Sequence, residues 1–184
     1  MGRNLCLYPM GSVDDFLLRP LVDCIQEKCR LECSIVHRIR EPTYAFNAVR
    51  GQYDSRLILK NLQQTSRRSG HLVMGITNFD LFVSILKYVY GCAQIGGRCS
   101  IISLYRLRPE FHEMPPDPET LLSRVQKTAL HELGHTIGLT HCRDRRCVMY
   151  SSANIEDTDN KSTGFCPTCA EIFSWFQDGT GSME

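Results

Sequence analysis

The sequence lacks a long apolar run, an excess of either charge, and any internal repeat. No stretch approaches the roughly 18 consecutive apolar residues of a membrane-spanning helix, so we expect a soluble protein. The formal net charge is +1, from 21 Lys and Arg against 20 Asp and Glu, and it offers no general attraction to nucleic acid or to a membrane. Without repeats or linkers, the 184 residues predict a single domain, residues 1–184, and the simplest expectation is a monomer.

The beginning of the chain also lacks an export signal. Only a short apolar stretch precedes Pro9, whereas a signal peptide contains an apolar region of roughly 7 to 15 residues. We therefore expect a cytoplasmic protein. In that compartment the sequon Asn160-Lys161-Ser162 is a chance match rather than a glycosylation site.

The sequence contains one motif rich in potential metal ligands, HELGHTIGLTH, which runs from His131 to His141. On a helix, His131 and His135 lie one turn apart on the same face and can bind one metal ion. Gly138 tolerates the left-handed conformation that ends a helix, so the chain can bend back and present His141 as a third ligand. Three imidazoles leave the fourth tetrahedral position of zinc to water, which is the catalytic rather than the structural arrangement.

Glu132 follows the first of these histidines and is turned about 100° from it around a helix. Its carboxylate borders the metal without being forced to bind it, and is placed to act as a base on zinc-bound water. The motif therefore predicts zinc-dependent hydrolysis. The alternative is that the three histidines are ordinary solvated helix residues.

Four of the ten cysteines follow the histidine motif in two pairs. Cys142 and Cys147 form a C-x4-C pair, and Cys166 and Cys169 form a C-x2-C pair. Two such pairs can close one tetrahedral four-cysteine zinc site, so we predict a second, structural zinc and two zinc ions per chain. The alternatives are two local disulfides, or a redox-active pair at the C-x2-C sequence.

The other six cysteines show no second metal signature and are predicted to be buried thiols. Cys92 and Cys99 flank Gly96-Gly97 between two apolar stretches, and a hairpin there would bring them together. A disulfide between these two cysteines is the open alternative.

Hydrophobic patterning predicts an α/β (α+β) fold with elements in β-α-β-α-β order, followed by two more strands and a long helix. Strands are predicted at residues 4–8, 33–38, 71–77, 87–92 and 98–105, and helices at about 12–30 and 54–64. A short turn joins the last two strands, so they are predicted to be antiparallel. The result is a mixed, mainly parallel, twisted sheet of about five strands.

The long helix is predicted to begin with Asp117 as its N-cap and Pro118 at its first position. Its apolar stripe should face the sheet, with the histidines on the opposite face, towards a cleft. This stripe consists of Leu122, Val125, Ala129, Leu133 and Ile137. The end of the helix predicts a boundary between an N-terminal subdomain, residues 1–138, and a small zinc-stabilised C-terminal subdomain, residues 139–184.

The histidine motif with Cys142, followed by Cys147-Val148-Met149 and Cys166-Pro167-Thr168-Cys169, resembles the archaemetzincin family of zinc-dependent metallopeptidases. The histidines alone are typical of metzincins, and the cysteines distinguish this family among them. Upstream segments, including residues 50–53 and 88–91, are also similar. The resemblance implies a metzincin-like sheet with a long active-site helix, catalytic zinc on the histidines, Glu132 as general base and structural zinc on the cysteines.

The resemblance further implies that Met149 forms the methionine turn beneath the active site. By the same analogy, the strand at residues 87–92 borders the cleft, and Tyr88 and Tyr90 contact a peptide or protein substrate. Half-buried positions in an ordinary strand are the alternative for both tyrosines. The main rival function is a catalytically silent, zinc-stabilised module that binds a peptide or protein; a zinc-ribbon-like nucleic-acid binder is disfavoured by the net charge.

Overall fold

A computed structural model describes residues 4–69 and 71–177 of the chain, which are centred on a five-stranded sheet. In spatial order its strands are β2 (Glu32–Ile35), β1 (Asn4–Met10), β5 (Leu72–Thr77), β8 (Cys99–Ser103) and β7 (Gly91–Ala93), numbered along the chain. All neighbouring pairs are parallel except β7 with β8. The predicted mixed, mainly parallel sheet of five strands is confirmed.

A second sheet of three strands has no counterpart in the sequence pattern. It consists of β3 (Phe46–Asn47), β4 (Gln52–Asp54) and β6 (Leu81–Phe82). Strands of two or three residues are too short to show an alternation of apolar and polar side chains. Contacts distant in sequence, rather than local pattern, therefore define this sheet.

The strand predicted at residues 87–92 is wrong in its first half. Of the described residues in this region, only Gly91–Ala93 form a strand with the main sheet, while Val89 makes an isolated bridge to Leu81 of the small sheet. The guanidinium of Arg50 donates to the carbonyl oxygens of Leu86 and Lys87 at 2.9 and 2.8 Å. Because side chains take up these backbone acceptors, the segment before Gly91 is irregular instead of extended.

Three long helices cover the two faces of the main sheet. Helix α1 (Asp15–Cys29) packs with α3 (Pro118–Thr136) on one face, and α2 (Ser55–Ser69) packs on the other. The predicted start of α3 is confirmed, because the Asp117 side chain accepts hydrogen bonds from the backbone N–H groups of Glu119 and Thr120. Two apolar clusters, one on each face, form the core.

Helix α3 is more deeply buried than its pattern predicts. Val125, Ala129 and Leu133 are inaccessible, as expected, but His131 and Glu132 are also only 8% and 7% exposed. The predicted cleft on this face is confirmed, since His131, Glu132 and His135 line one. Its residues are little exposed because β7 and the short helix α4 (Ile155–Asn160) pack against the same side of α3.

Beyond α3 the described chain is mostly irregular. It contains α4 and the final helix α5 (Pro167–Gln177), and a single parallel bridge joins Cys142 to Tyr150. No helix among the described residues has the length and apolar composition needed to cross a membrane. The irregular segment lies against the C-terminal half of α3, where the candidate site is found.

Candidate active site

The three motif histidines converge at the end of α3. Ring nitrogens of His131, His135 and His141 all lie within 4.8 Å of one another, and the Nε2 atoms of His131 and His135 are 3.1 Å apart. Two nitrogens bound tetrahedrally to one zinc ion at about 2.0–2.1 Å are separated by roughly 3.3 Å. The donor set and its spacing therefore fit zinc.

Backbone carbonyls orient two of the three imidazole rings. His131 Nδ1 lies 2.8 Å from the carbonyl oxygen of Val148, and His135 Nδ1 lies 2.7 Å from that of Leu139. In the neutral ring each Nδ1–H donates to its carbonyl, which leaves Nε2 as the lone-pair donor for a metal. The rings are thus held in the metal-binding tautomer by the fold itself.

Gly138 makes this arrangement possible where α3 ends. Its φ of +96° is unfavourable for residues with a side chain. The N–H of Gly138 donates to the carbonyl oxygen of His135, and the N–H of Leu139 donates to the carbonyl oxygen of Gly134. This left-handed turn directs the Leu139 carbonyl at His135 and carries the chain back to His141. The role that the sequence analysis predicts for Gly138 is confirmed.

Partial or complete removal from solvent favours the neutral form of the three histidines, most strongly for the buried His131 and least for the exposed His141. This removal is the main cause that lowers the pKa of His131, His135 and His141 below 6.5, and the positive charge of Lys161 lowers all three further. Neutral imidazole is the form that binds a metal ion, so protons compete weakly for these ligands near neutral pH.

Glu132 is packed between α3 and the edge strand β7. A Cβ atom at Gly91 would lie 2.6 Å from Glu132 Cγ and 2.7 Å from Oε1, so only glycine leaves room for this carboxylate. Burial raises the pKa of Glu132 to about 8, and the charge of Lys161 opposes that rise. A carboxylate with a pKa near neutrality is well matched to accepting and returning a proton.

Met149 lies beneath the histidines, completely buried. A Cβ at Gly134, in the middle of the motif, would lie 2.3 Å from Met149 Sδ. The glycine within HELGH therefore allows the methionine sulfur to pack against the backbone of α3. This placement agrees with the position that the resemblance implies for a methionine turn.

The four predicted cysteines form a second cluster. The sulfur atoms of Cys142, Cys147, Cys166 and Cys169 all lie within 4.8 Å of one another, and those of Cys142 and Cys166 are 3.7 Å apart. Two thiolates bound tetrahedrally at about 2.3 Å are separated by roughly 3.8 Å. No disulfide joins any of the four, so the arrangement fits a metal ion rather than local disulfides.

Three consecutive residues connect the cysteine cluster to the histidine cluster. Cys147 supplies a sulfur atom, the carbonyl of Val148 orients His131, and Met149 packs under the helix. The carbonyl of Met149 also accepts a hydrogen bond from the N–H of Cys142 at 2.9 Å. His141 and Cys142 are adjacent in the chain and connect the two clusters directly, and these contacts form a second connection.

A cleft of about 800 Å³ opens above the histidines and Glu132. Tyr88 and Tyr90 both line it, with Tyr88 half-buried and Tyr90 8% exposed. Their rings meet edge to face at 5.5 Å, and Arg106 stacks on Tyr88 at 4.2 Å. Apolar side chains of Val83, Leu86 and Ile95 complete this wall.

The alternative disulfide between Cys92 and Cys99 is absent. The two strands pair so that Cys92 lies opposite Ile101, which places the cysteines out of register. Cys92 instead lines the cleft. A lone cysteine in a strand carries no sequence signal for such a position.

Lys161 is a residue of the candidate site that the sequence pattern does not predict. Its side chain is only 4% exposed and lines the same cleft as Glu132. Its Nζ donates to the carbonyl oxygen of Tyr150 at 3.1 Å, and burial lowers its pKa to about 8. The only motif that contains Lys161 is the glycosylation sequon, so no local pattern could have identified it.

Known proteins share both the sequence and the fold. The profile of Peptidase family M54 matches residues 13–174. The archaemetzincin of Methanocaldococcus jannaschii is 41% identical over 169 residues, which cover 92% of each chain. A crystal structure of a zinc-dependent peptidase from Methanocorpusculum labreanum superposes with a TM-score of 0.86 at 26% identity, covering 92% of this chain and all of that one.

The crystal structure of the archaemetzincin from Methanopyrus kandleri superposes with a TM-score of 0.81 at 33% identity, covering 96% of both chains. The match thus extends over the sheet, α3 and the cysteine cluster together. This chain belongs to peptidase family M54, the archaemetzincins.

Proposed function

We propose that the protein hydrolyses peptide bonds with Glu132 as general base, a zinc ion on His131, His135 and His141, and a second zinc ion on the four clustered cysteines. Membership of family M54 makes the chain a zinc-dependent peptidase. The catalytic role of Glu132, the ligand sets and the number of two zinc ions are the proposal. The packing of Glu132 against Gly91 beside three convergent imidazoles is the observation that carries it.

When bound, zinc supplies a Lewis acid that polarises a peptide carbonyl and lowers the pKa of water. The carboxylate of Glu132 takes a proton from the attacking water and delivers it to the leaving amine. His131 and His135 keep their Nε2 atoms free for the metal because Val148 and Leu139 hold the opposite ring nitrogens. The cysteine site fixes the segment that carries Val148 and Met149.

The substrate is proposed to lie along β7. Gly91–Ala93 form the outermost strand of the main sheet and line the cleft, so an extended peptide can add backbone hydrogen bonds to this edge. Tyr88 and Tyr90 then contact its side chains. The apolar wall favours substrates with apolar residues near the cleaved bond.

A peptide-library digest read by mass spectrometry tests this function. Wild type and Glu132→Ala are compared at equal, measured zinc content. We expect cleavage by wild type only, with a loss of at least a thousandfold in the variant, because metal and base act together. Equal cleavage by both proteins would remove Glu132 from the mechanism. Absence of cleavage by both, together with peptide binding, would favour the silent binding module instead.

A further inference from the structure

Lys161 is a buried cation with a single hydrogen-bond acceptor. Of the groups that the structure describes, only the carbonyl oxygen of Tyr150 accepts from its Nζ, at 3.1 Å. No described carboxylate oxygen lies within 4.0 Å of that atom. An ammonium group has three N–H donors, so two of them are left for a partner in the cleft that Lys161 lines.

This placement is unfavourable in the resting protein. Burial of an ammonium group without a hydrogen-bonded ion-pair partner is unfavourable, and the carboxylates of Glu132 and Asp157 offset this cost only from beyond 4.0 Å. Lys161 lines the same cleft as His131 and Glu132, so its ammonium group can reach a group that binds there. An anion that forms in the cleft during the reaction would offset the cost of burial.

The surrounding structure holds Lys161 from both sides. Before it, the carboxylate of Asp159 accepts two hydrogen bonds from the buried guanidinium of Arg124, both at 2.7 Å, and its carbonyl accepts one from Lys127 at 2.8 Å. After it, Ser162 donates its N–H and its hydroxyl to the carbonyl oxygen of Arg146 at 2.9 and 2.8 Å. The backbone on both sides of Lys161 is thus held before substrate arrives, and the bond to the Tyr150 carbonyl oxygen positions the ammonium group itself, as electrostatic catalysis requires.

We propose that Lys161 is a catalytic residue whose ammonium group donates a hydrogen bond to the carbonyl oxygen of the scissile peptide bond as that oxygen becomes negatively charged. This inference rests on the proposed function. Water oxygen forms a bond to the carbonyl carbon, and the C=O π pair moves to the oxygen held by Lys161. When the C–N bond breaks, the pair returns to C=O and the amine leaves with the proton from Glu132. Lys161 keeps its own proton throughout.

The other oxyanion that such a cation can bind is the free carboxylate at the C-terminus of a substrate. The two sources differ in which substrates depend on Lys161. Stabilisation of the reacting oxygen affects every substrate through kcat, whereas a carboxylate subsite affects only peptides with a free C-terminus, mainly through KM.

The experiment compares wild type, Lys161→Met and Lys161→Gln, with Lys60→Met on the exposed surface of α2 as the control. Each is assayed with one good substrate sequence as the free acid and as the C-terminal amide. Affinity for the same peptide with a phosphinate in place of the scissile amide is measured by calorimetry. Zinc affinity is measured by chelator competition and folding by thermal unfolding. Lys161→Gln retains a hydrogen-bond donor and covers the case in which the methionine variant does not fold.

We expect kcat to fall by about a hundredfold or more in both Lys161 variants, equally for the acid and the amide, with KM changed less than about threefold. Phosphinate affinity should fall in parallel, and zinc should bind as tightly as in wild type or tighter because a like charge is gone. Lys60→Met should match wild type.

A defect confined to the free acid would overturn the proposal in favour of a carboxylate subsite. Unchanged kcat and phosphinate affinity in a folded, zinc-loaded variant would also overturn it. In either case wild type still cleaves and Glu132→Ala does not, so failure of this inference is distinct from failure of the proposed function.

Discussion

The sulfur of Met149 occupies the space that a side chain at Gly134 would need, since a Cβ there would lie 2.3 Å from Sδ. Alanine in place of glycine normally stabilises a helix interior by about 1 kcal/mol. Here we expect Gly134→Ala to destabilise the protein by about 1–3 kcal/mol, because α3 or the segment 147–149 must shift. Thermal unfolding of the zinc-loaded protein measures the effect, and zinc content reports any shift of His131.

Gly164→Ala is the matched control for this substitution. A Cβ there would meet only Ser162 Oγ, at an ordinary contact distance of 3.5 Å. The double variant Gly134→Ala with Met149→Ala tests the cause, because the shorter side chain at position 149 removes the clash. If Gly134→Ala is as harmful in that background as in wild type, the contact with Met149 is not the reason.

Gly91→Ala is predicted to impair catalysis without loss of zinc. The added methyl group would lie 2.6 Å from Glu132 Cγ, and the three atoms nearest to it all belong to Glu132, so the carboxylate must move away from β7. We expect kcat to fall at least tenfold, since a displacement of about 1 Å in a catalytic group is enough for a large loss. Steady-state kinetics and zinc analysis of the same preparation decide the question. Normal kcat, or loss of zinc along with activity, would contradict this account of Gly91.

The sequence was sufficient to predict the histidine and cysteine clusters that the structure forms, and insufficient to predict the residues of the cleft. His131, His135 and His141 lie within one turn and one helix end, and the four cysteines come in two tight pairs, so local geometry determines where their ligand atoms meet. Lys161 and Gly91 are different. Each reaches the site through packing between elements distant in sequence, and neither belongs to a motif that names its role.

The fold also separates into features that local sequence predicts and features that depend on packing between distant elements. The parallel strands and α3 have the length and periodicity that patterning detects, and Asp117 with Pro118 marks the start of the helix. The cleft face of α3 is nevertheless less exposed than a helical wheel predicts, because β7 and α4 pack against it and leave His131 and Glu132 only 8% and 7% exposed. The burial of Glu132 on this face is also what raises its pKa to about 8.

The raised pKa of Glu132 predicts a pH-dependent stability of the zinc-free protein. Its folded state binds the proton more tightly than the unfolded chain, so this contribution is fully present below pH 4.5 and is lost as the pH rises through about 8. Glu132→Gln cannot ionise. At roughly 1.4 kcal/mol per pH unit, we expect the variant to exceed wild type by a few kcal/mol at pH 7, and the difference to disappear near pH 4.5.

Urea unfolding of both proteins in the presence of chelator, from pH 4.5 to pH 8.5, measures this difference. The histidines titrate in both proteins, so their contributions largely cancel. A stability difference that stays constant across this range would show that the carboxylate of Glu132 is not destabilised by burial. Thermal unfolding at matched pH values provides an independent check.

The last prediction concerns the two proposed metal sites and the unequal effects that loss of each should have on the other. His141 is exposed, and His141→Ala removes one of three ligands at the cleft. We expect this variant to fold as wild type does and to retain the zinc at the cysteines. Its zinc content should fall from two ions to about one ion per chain. Cys169→Ser removes a buried ligand from the site that positions Val148 and Met149, so it should lose the structural zinc, unfold at lower temperature and weaken the histidine site as well.

Metal analysis after dialysis against a weak chelator, alongside thermal unfolding, separates these outcomes. Cys6→Ser, outside the cysteine cluster, is the control and should keep both ions. One zinc in wild type would refute the two-site proposal. The carbonyl oxygen of Val148 lies 2.8 Å from His131 Nδ1 and orients that ring. If a Cys169→Ser protein that has lost one zinc retained full activity, the ring would keep its orientation without the metal at the cysteines. That result would show that the cysteine site is not needed to hold the Val148 carbonyl in place.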